Sequence, residues 1–204
     1  ADQLTPAINL GLVEFAANAT LLVPPTPQHQ ATIDALKKLD FADSTATGEA
    51  IFTALHAISA TAVAGGDKPP PARIVLESDG AENVPLDPNA PQGAFTAARA
   101  AKAGGVPIST ISFGTKGGEI EMDGQRIAVP VSTDQMKTVA KLSGGQSYTA
   151  TNLGELEKSY NAIENEIGYR TVPGPGSAGW LRLAVLTALI ATALALLINR
   201  RLPS

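Results

Sequence analysis

Residues 72–80 read Ala-Arg-Ile-Val-Leu-Glu-Ser-Asp-Gly, an apolar run that ends in a Ser-Asp-Gly corner. A short run of this kind between loops reads as a buried strand. Upstream, Gly65-Gly66-Asp67-Lys68-Pro69-Pro70-Pro71 is a loop. Before it, Thr45-Ala46-Thr47-Gly48 opens a helix over Thr47–Ala64, with Ile51, Leu55, Ile58 and Ala62 at helical spacing. Downstream come the Pro/Asn/Asp-rich loop Asn83–Pro91, a helix over Gly93–Lys102 stopped by Gly104-Gly105, and a second apolar run, Val106–Phe113. A carboxylate thus falls at a strand end and a hydroxyl at a helix start.

The remainder extends the alternation. Ile8–Phe15 and Ala19–Val23 are β-rich, with Ala16-Ala17-Asn18 as the turn between them, and Pro24-Pro25-Thr26-Pro27 breaks the chain. Gln28–Lys38 reads as a short helix with Ile33 and Leu36 facing in. Ile120–Val131 alternates around Asp123-Gly124, a hairpin signal. A helix starts at Thr133-Asp134 and ends at Gly144-Gly145. Gln146–Thr149 is a short strand, and Leu153, Leu156, Tyr160, Ile163 and Ile167 define a last helix. Apolar runs alternating with helices predict an α/β fold, a mostly parallel sheet with helices on both faces. Ligands of such sheets bind at the carboxyl ends of strands, where Asp79 falls.

The 204 residues are 44% hydrophobic and 17% charged, enough to bury a core and too apolar for a disordered chain. Net charge is −4 and aromatics are 4%, which argues against nucleic acid as a partner. There is no cysteine, so thiolate chemistry and Cys-based zinc sites are excluded. With two histidines, His29 and His56, and no Gly-x-Ser-x-Gly elbow, a Ser-His-Asp triad is not expected. No P-loop occurs. The glycine pairs at 104–105, 117–118 and 144–145 read as helix stops and turns, and Glu155, Glu157, Glu164 and Glu166 as a solvated helix face.

The tail differs. Gly174-Pro175-Gly176-Ser177 is a linker, and Leu183–Ile198 runs sixteen residues without a charge. Counted from Trp180 the run has nineteen residues, with Arg182 near one end. At about 1.5 Å per residue it spans roughly 28 Å, close to the ~30 Å hydrocarbon core. Trp180 suits an interface, Arg182 can snorkel, and Asn199-Arg200-Arg201 suits the cytoplasmic side. Ala184/Ala188 and Ala191/Ala195 give small-xxx-small spacing. The expected organisation is a domain over 1–169, a linker over 170–179, a transmembrane helix over 180–198 and a cytoplasmic tail over 199–204. The domain then lies outside the cytoplasm.

Thr45 and Asp79 are the candidate metal-binding residues. A hard divalent cation takes oxygen ligands, and Mg²⁺ keeps several waters beside one or two carboxylates. Gly80 lets the chain turn sharply after the strand, and Gly48 allows close packing at the helix start. The plainer readings are a Ser-Asp-Gly turn and a Thr45 or Thr47 N-cap. Glu77, on the buried strand, needs exposure or a partner such as Arg73 or a lysine, since an unpaired buried carboxylate is costly. A role as a substitute ligand is the alternative.

The stretches INLGLVEFA, STATGEAIFTAL, RIVLESDG, GVPISTISFGT and LSGGQSYTA resemble those of von Willebrand factor A (VWA) domains, and more closely the bacterial membrane-anchored Bat (aerotolerance) type. The likeness covers essentially the whole chain. It implies a Rossmann-like domain of strand order 3-2-1-4-5-6 with a Mg²⁺ or Mn²⁺ site, the metal-ion-dependent adhesion site (MIDAS), to which Thr45 and Asp79 contribute. Its remaining motif, Asp-x-Ser-x-Ser on the loop after the family's first strand, does not occur in residues 1–204. The resemblance puts that strand before Ala1, between Ile8–Phe15 and Ile74–Ser78. The chain itself is therefore expected to hold either ion weakly or not at all. The implied function is cation-bridged protein binding, not catalysis, in protein assembly or envelope maintenance. Implied partners are other membrane subunits and a MoxR-type ATPase system. The alternatives are a metal-independent scaffold for a membrane complex and a Mg²⁺-dependent hydrolase using Asp79.

Overall fold

The computed structural model describes residues 4, 7–39, 44–64, 71–79, 81–113, 119–122, 125–128, 133–166 and 177–199. Several expectations fall outside them: the loop 65–70, Gly80, Gly117-Gly118, the Asp123-Gly124 turn, Ile167, the linker glycines and Arg200-Arg201. The chain divides into two compact units, Ala1–Gly168 and Tyr169–Ser204.

In the first unit the order is β1 (Leu10–Phe15), β2 (Ala19–Thr26), α1 (His29–Leu36), α2 (Thr47–Ala64), β3 (Ile74–Ser78), α3 (Ala94–Ala103), β4 (Ile108–Phe113), β5 (Glu119–Met122), β6 (Gln125–Ala128), α4 (Thr133–Ser143), β7 (Ser147–Ala150) and α5 (Leu153–Asn165). β3, β4 and β7 form a parallel sheet in that order, with Ser78 opposite Ser112 and Phe113 opposite Ala150. β5 and β6 pair antiparallel with Met122 opposite Gln125, the expected hairpin.

β1 and β2 form a separate antiparallel pair closed at Phe15 and Ala19. Among the described residues no ladder joins β1 to β3, so each keeps one edge without a strand partner. β2 runs on through Pro24 and Pro25, where the sequence reading ended the strand. Proline donates no ladder hydrogen bond and is tolerated at irregular edges. The register is shifted on either side of Leu12, opposite this stretch.

The helices cover the sheet on both faces. Ile74 and Leu76 of β3 and Ile108 of β4 pack with Ile51 of α2, Met136 and Val139 of α4, and an alanine face of α3. That face, Ala94, Ala97, Ala98 and Ala101, is fully buried. Its spacing puts four small side chains on one stripe, so α3 lies close against its neighbours. Ile111 faces the other way and meets Ala150 and Ile163 of α5. Helices α3 and α4 give way at Gly105 and Gly144, both at positive φ, as the glycine pairs predict.

One inward position was misread. α1 buries Thr32, while Leu36 is 46% exposed. The strand carboxylate Glu77 does not pair with Arg73. It accepts a hydrogen bond of 2.7 Å from Tyr160 Oη of α5, and burial, reinforced by the neighbouring Glu77 carboxylate, pushes the Tyr160 hydroxyl well above the usual tyrosine range. Arg73 instead bonds Ser109 Oγ at 2.6 Å and pairs with Glu166 at 3.0 Å, and Glu166 also accepts from Tyr148 Oη. Glu166 is therefore a partner of the sheet face, not a member of a wholly solvated helix face.

The second unit contains α6 (Ser177–Asn199). Its described side chains cover residues 183–196, about 21 Å of helix at 1.5 Å per residue. Among the described residues no helix is long and apolar enough to cross a membrane. The side chains of Trp180 and Arg182 lie outside that stretch.

Candidate functional site

The candidate site stands at the carboxyl end of β3. Asp79 follows the strand and is exposed, and Thr45, half-buried, precedes the first turn of α2. Hydrogen bonds join the two loops. The Thr45 amide donates to Asn83 Oδ1 at 2.8 Å. The amides of Asn83 and Val84 donate back to the Thr45 carbonyl at 3.1 and 3.4 Å. Asn83 lies four residues after Asp79, so the chain holds its backbone within about 14 Å of the Asp79 backbone.

Glu82 organises what surrounds them. It is 6% exposed. One carboxylate oxygen accepts from the Gly48 amide at 2.8 Å, the other from the Ala94 amide at 2.9 Å. These are N-terminal amides of α2 and α3, groups left without intrahelical partners. Hydrogen bonds to a charged acceptor contribute about 1.5–3 kcal/mol each. The Glu82 amide in turn donates to Gln135 Oε1 of α4 at 2.7 Å. The starts of α2, α3 and α4 are thereby tied to one residue of the loop that leaves Asp79. Gly48 permits this: a Cβ there would lie 2.0 Å from the Gln92 carbonyl oxygen and 2.5 Å from the Gly93 carbonyl carbon.

Burial raises the Glu82 carboxyl above the ordinary glutamate range, against the downward pull of the Ala94 and Gly48 amides. Between the unfolded and folded pKa the native state holds a proton that the unfolded chain has released. Stability from this group is therefore greatest at the acid side and falls as pH rises through that window. Glu82→Gln is expected to flatten this part of a curve of urea midpoint against pH. An unchanged curve in the variant would assign the dependence to another group.

In donor type the site fits a hard divalent cation, since Thr45 and Asp79 both offer oxygen. In number it is short. Among the described residues no group of three His, Cys, Asp or Glu side chains could hold a metal. A buried hydroxyl, Ser112 Oγ at the carboxyl end of β4, has no hydrogen-bond partner among the described residues. For a phosphate the fit is poor, because the α2 and α3 N-termini already face the Glu82 carboxylate.

The sequence reading named Thr45, Gly48 and Asp79 and did not name Glu82, Asn83 or Gln135, which surround them. No local signal marks them, since Glu82 caps helices 34 and 12 residues away in sequence. At α5 the corresponding device is local and legible: Asn152 caps the Glu155 amide and Glu155 reaches back to Thr151.

No family model matches the chain. It is 86% identical over 205 positions to the UPF0353 protein of Mycolicibacterium paratuberculosis (strain ATCC BAA-968 / K-10), covering 100% of this chain and 62% of that protein. It is 59% identical over 206 positions to the UPF0353 protein of Mycobacterium bovis (strain BCG / Pasteur 1173P2), with the same coverage of 100% and 62%. The chain thus spans about 62% of the length of these curated relatives. Among solved structures, an aerotolerance-related membrane protein of Bacteroides fragilis NCTC 9343 superposes with a TM-score of 0.63 at 20% identity, covering 78% of this chain and 80% of the other. The conserved hypothetical protein BatB of Bacteroides thetaiotaomicron gives 0.59 at 21%, covering 76% and 78%. The SpRpn10 VWA domain gives 0.51 at 15%, covering 74% and 70%. At such identities the likeness is one of fold: the chain has a VWA-like fold, mixed α/β with a parallel sheet and helices.

Proposed function

We propose that this chain is the greater part of a membrane-anchored, extracytoplasmic protein-binding domain that recognises its partner through a bridging divalent cation. The carrying observation is the hydrogen-bonded junction between the Thr45 loop and the loop leaving Asp79. Thr45 supplies a hydroxyl, Asp79 a carboxylate, and an acidic side chain of the partner completes the ligand set. The cation, Mg²⁺ or Mn²⁺, contributes charge that holds two acidic surfaces together. Val84 and Leu86, 41% and 85% exposed, offer an apolar rim beside the junction for the partner to cover. The aerotolerance-related neighbour, described as a membrane protein, supports anchoring, and residues 180–198, which include the uncharged run Leu183–Ile198, are the segment to which we assign it. On the resemblance to Bat-type proteins, the partners are other membrane subunits and a MoxR-type ATPase system in protein assembly or envelope maintenance.

A metal-independent scaffold is the second reading, favoured by the small number of carboxylates at the junction. A phosphate-directed hydrolase is disfavoured by the Glu82 carboxylate at the helix N-termini.

Titration with Mn²⁺ separates the first two. A site with one carboxylate is expected to bind no tighter than about 10⁻⁴ M, and Asp79→Ala to abolish the response. A response that survives Asp79→Ala removes Asp79 from the site. No saturable response up to about 10 mM, two decades above that affinity, would leave only the scaffold.

A further inference from the structure

We propose that Glu82 and Asn83 are positioning residues, which lock Thr45 to the strand end carrying Asp79 so that the two side chains face one ligand as a fixed pair. The inference rests on the reading of Thr45 and Asp79 as the cation-facing groups. Three consecutive residues, 82–84, carry six hydrogen bonds. Two amides and one side chain hold the Thr45 backbone on both its N–H and its C=O. Both oxygens of Glu82 are used by Gly48 and Ala94, and its amide by Gln135. Thr45 is three residues before Gly48, so its loop is held at two points along the same short stretch.

The stretch has nowhere to slide. A Cβ on Gly48 would strike the backbone of residues 92–94, so the start of α2 already touches the start of α3. Asp79 is three residues before Glu82, and the intervening chain reaches at most about 11 Å. Thr45, Gly48, Glu82 and Asn83 therefore belong to one closed ring of backbone and hydrogen bonds, to which Asp79 is tethered along the chain. Removing the Asn83 side chain releases the Thr45 amide and leaves Asp79 at the end of β3.

The test uses the full chain, isotope-labelled, in detergent micelles, with Mn²⁺ alone as the probe. Paramagnetic broadening falls steeply with distance, so it reports whether one ion senses both residues. In the unaltered chain the Thr45 and Asp79 amides are expected to broaden together. In Asn83→Ala, the Thr45 broadening is expected to fall at least fivefold relative to that of Asp79, and Thr45 amide exchange to rise at least tenfold. Asn83→Asp keeps the oxygen acceptor and is expected to restore both. Asn83→Ala retains the two bonds to the Thr45 carbonyl and should fold; Asn83→Ser, too short to reach the Thr45 amide, serves if it does not. Unchanged broadening ratio and exchange in these variants would overturn the proposal, as would an ion that broadens Asp79 but never Thr45. If neither amide broadens in the unaltered chain, the cation reading falls. The lock then stands if exchange accelerates at Thr45 alone in Asn83→Ala, and falls if all amides accelerate alike.

Discussion

Gly48→Ala is expected to cost the first unit at least about 4 kcal/mol, a large fraction of an ordinary domain stability of about 5–15 kcal/mol. The added methyl would sit 2.0 Å from the Gln92 oxygen, 2.5 Å from the Gly93 carbonyl carbon and 2.8 Å from the Ala94 nitrogen. All are backbone atoms, so no side chain can swing aside. Relief requires α2 to back away from α3, and that stretches both bonds to Glu82. Overpacking alone costs about 1–3 kcal/mol. Weakening two charge-assisted bonds in a buried setting adds about 1.5–3 kcal/mol each. Gly104→Ala is the control: its Cβ would meet only the Ala100 and Ala101 oxygens at 3.6 Å, at an ordinary helical φ of −78°. Reduced unfolded-state entropy should make that change neutral to mildly stabilising, by up to about 1 kcal/mol. Urea unfolding followed by circular dichroism compares the two. A Gly48→Ala midpoint close to that of Gly104→Ala would mean that the helix starts do not touch as described.

The parts of the fold that were legible are those in which neighbours in sequence decide the outcome. The apolar run Ile74–Leu76 and its corner gave β3 and Asp79. Alternating runs gave the parallel sheet, and Asp123-Gly124 gave a hairpin whose strands pair as expected. The unpredicted features depend on distant partners. Glu77 gains its partner from Tyr160, 83 residues on, and Arg73 from Glu166, 93 residues on. Periodicity could not tell which residue of α5 or its C-terminal end would meet each of them. β2 crosses Pro24-Pro25 because it pairs on one edge with an irregular register, a tertiary circumstance invisible in composition. The same holds for the candidate site. Thr45 and Asp79 sit where simple strand-end and helix-start logic puts them. The residues that connect them, Glu82 and Asn83, occupy a segment that reads only as loop.

Deleting residues 177–204 is expected to shift the protein from a membrane pellet resistant to carbonate washing to the supernatant, nearly completely. The described part of α6 exposes Leu183, Val185, Leu186, Leu189, Ile190, Leu194 and Leu196, each by more than half of its surface. At about 1.5–3 kcal/mol for removing each such side chain from water, transfer is favoured by on the order of 10–20 kcal/mol. The two hydroxyls in this stretch cost little in lipid, because Thr187 bonds the Ala184 carbonyl and Thr192 the Ala188 carbonyl. Leu189→Arg, which adds about 2.5–3.5 kcal/mol of insertion cost at the centre, should weaken anchoring without abolishing it. In right-side-out vesicles, added protease should degrade the domain and spare the tail, since Arg200 and Arg201 favour the cytoplasmic side. Protection of the domain would reverse the proposed orientation. Release of the intact chain by carbonate, to the same extent as the truncated one, would show that α6 buries its apolar surface against protein rather than lipid.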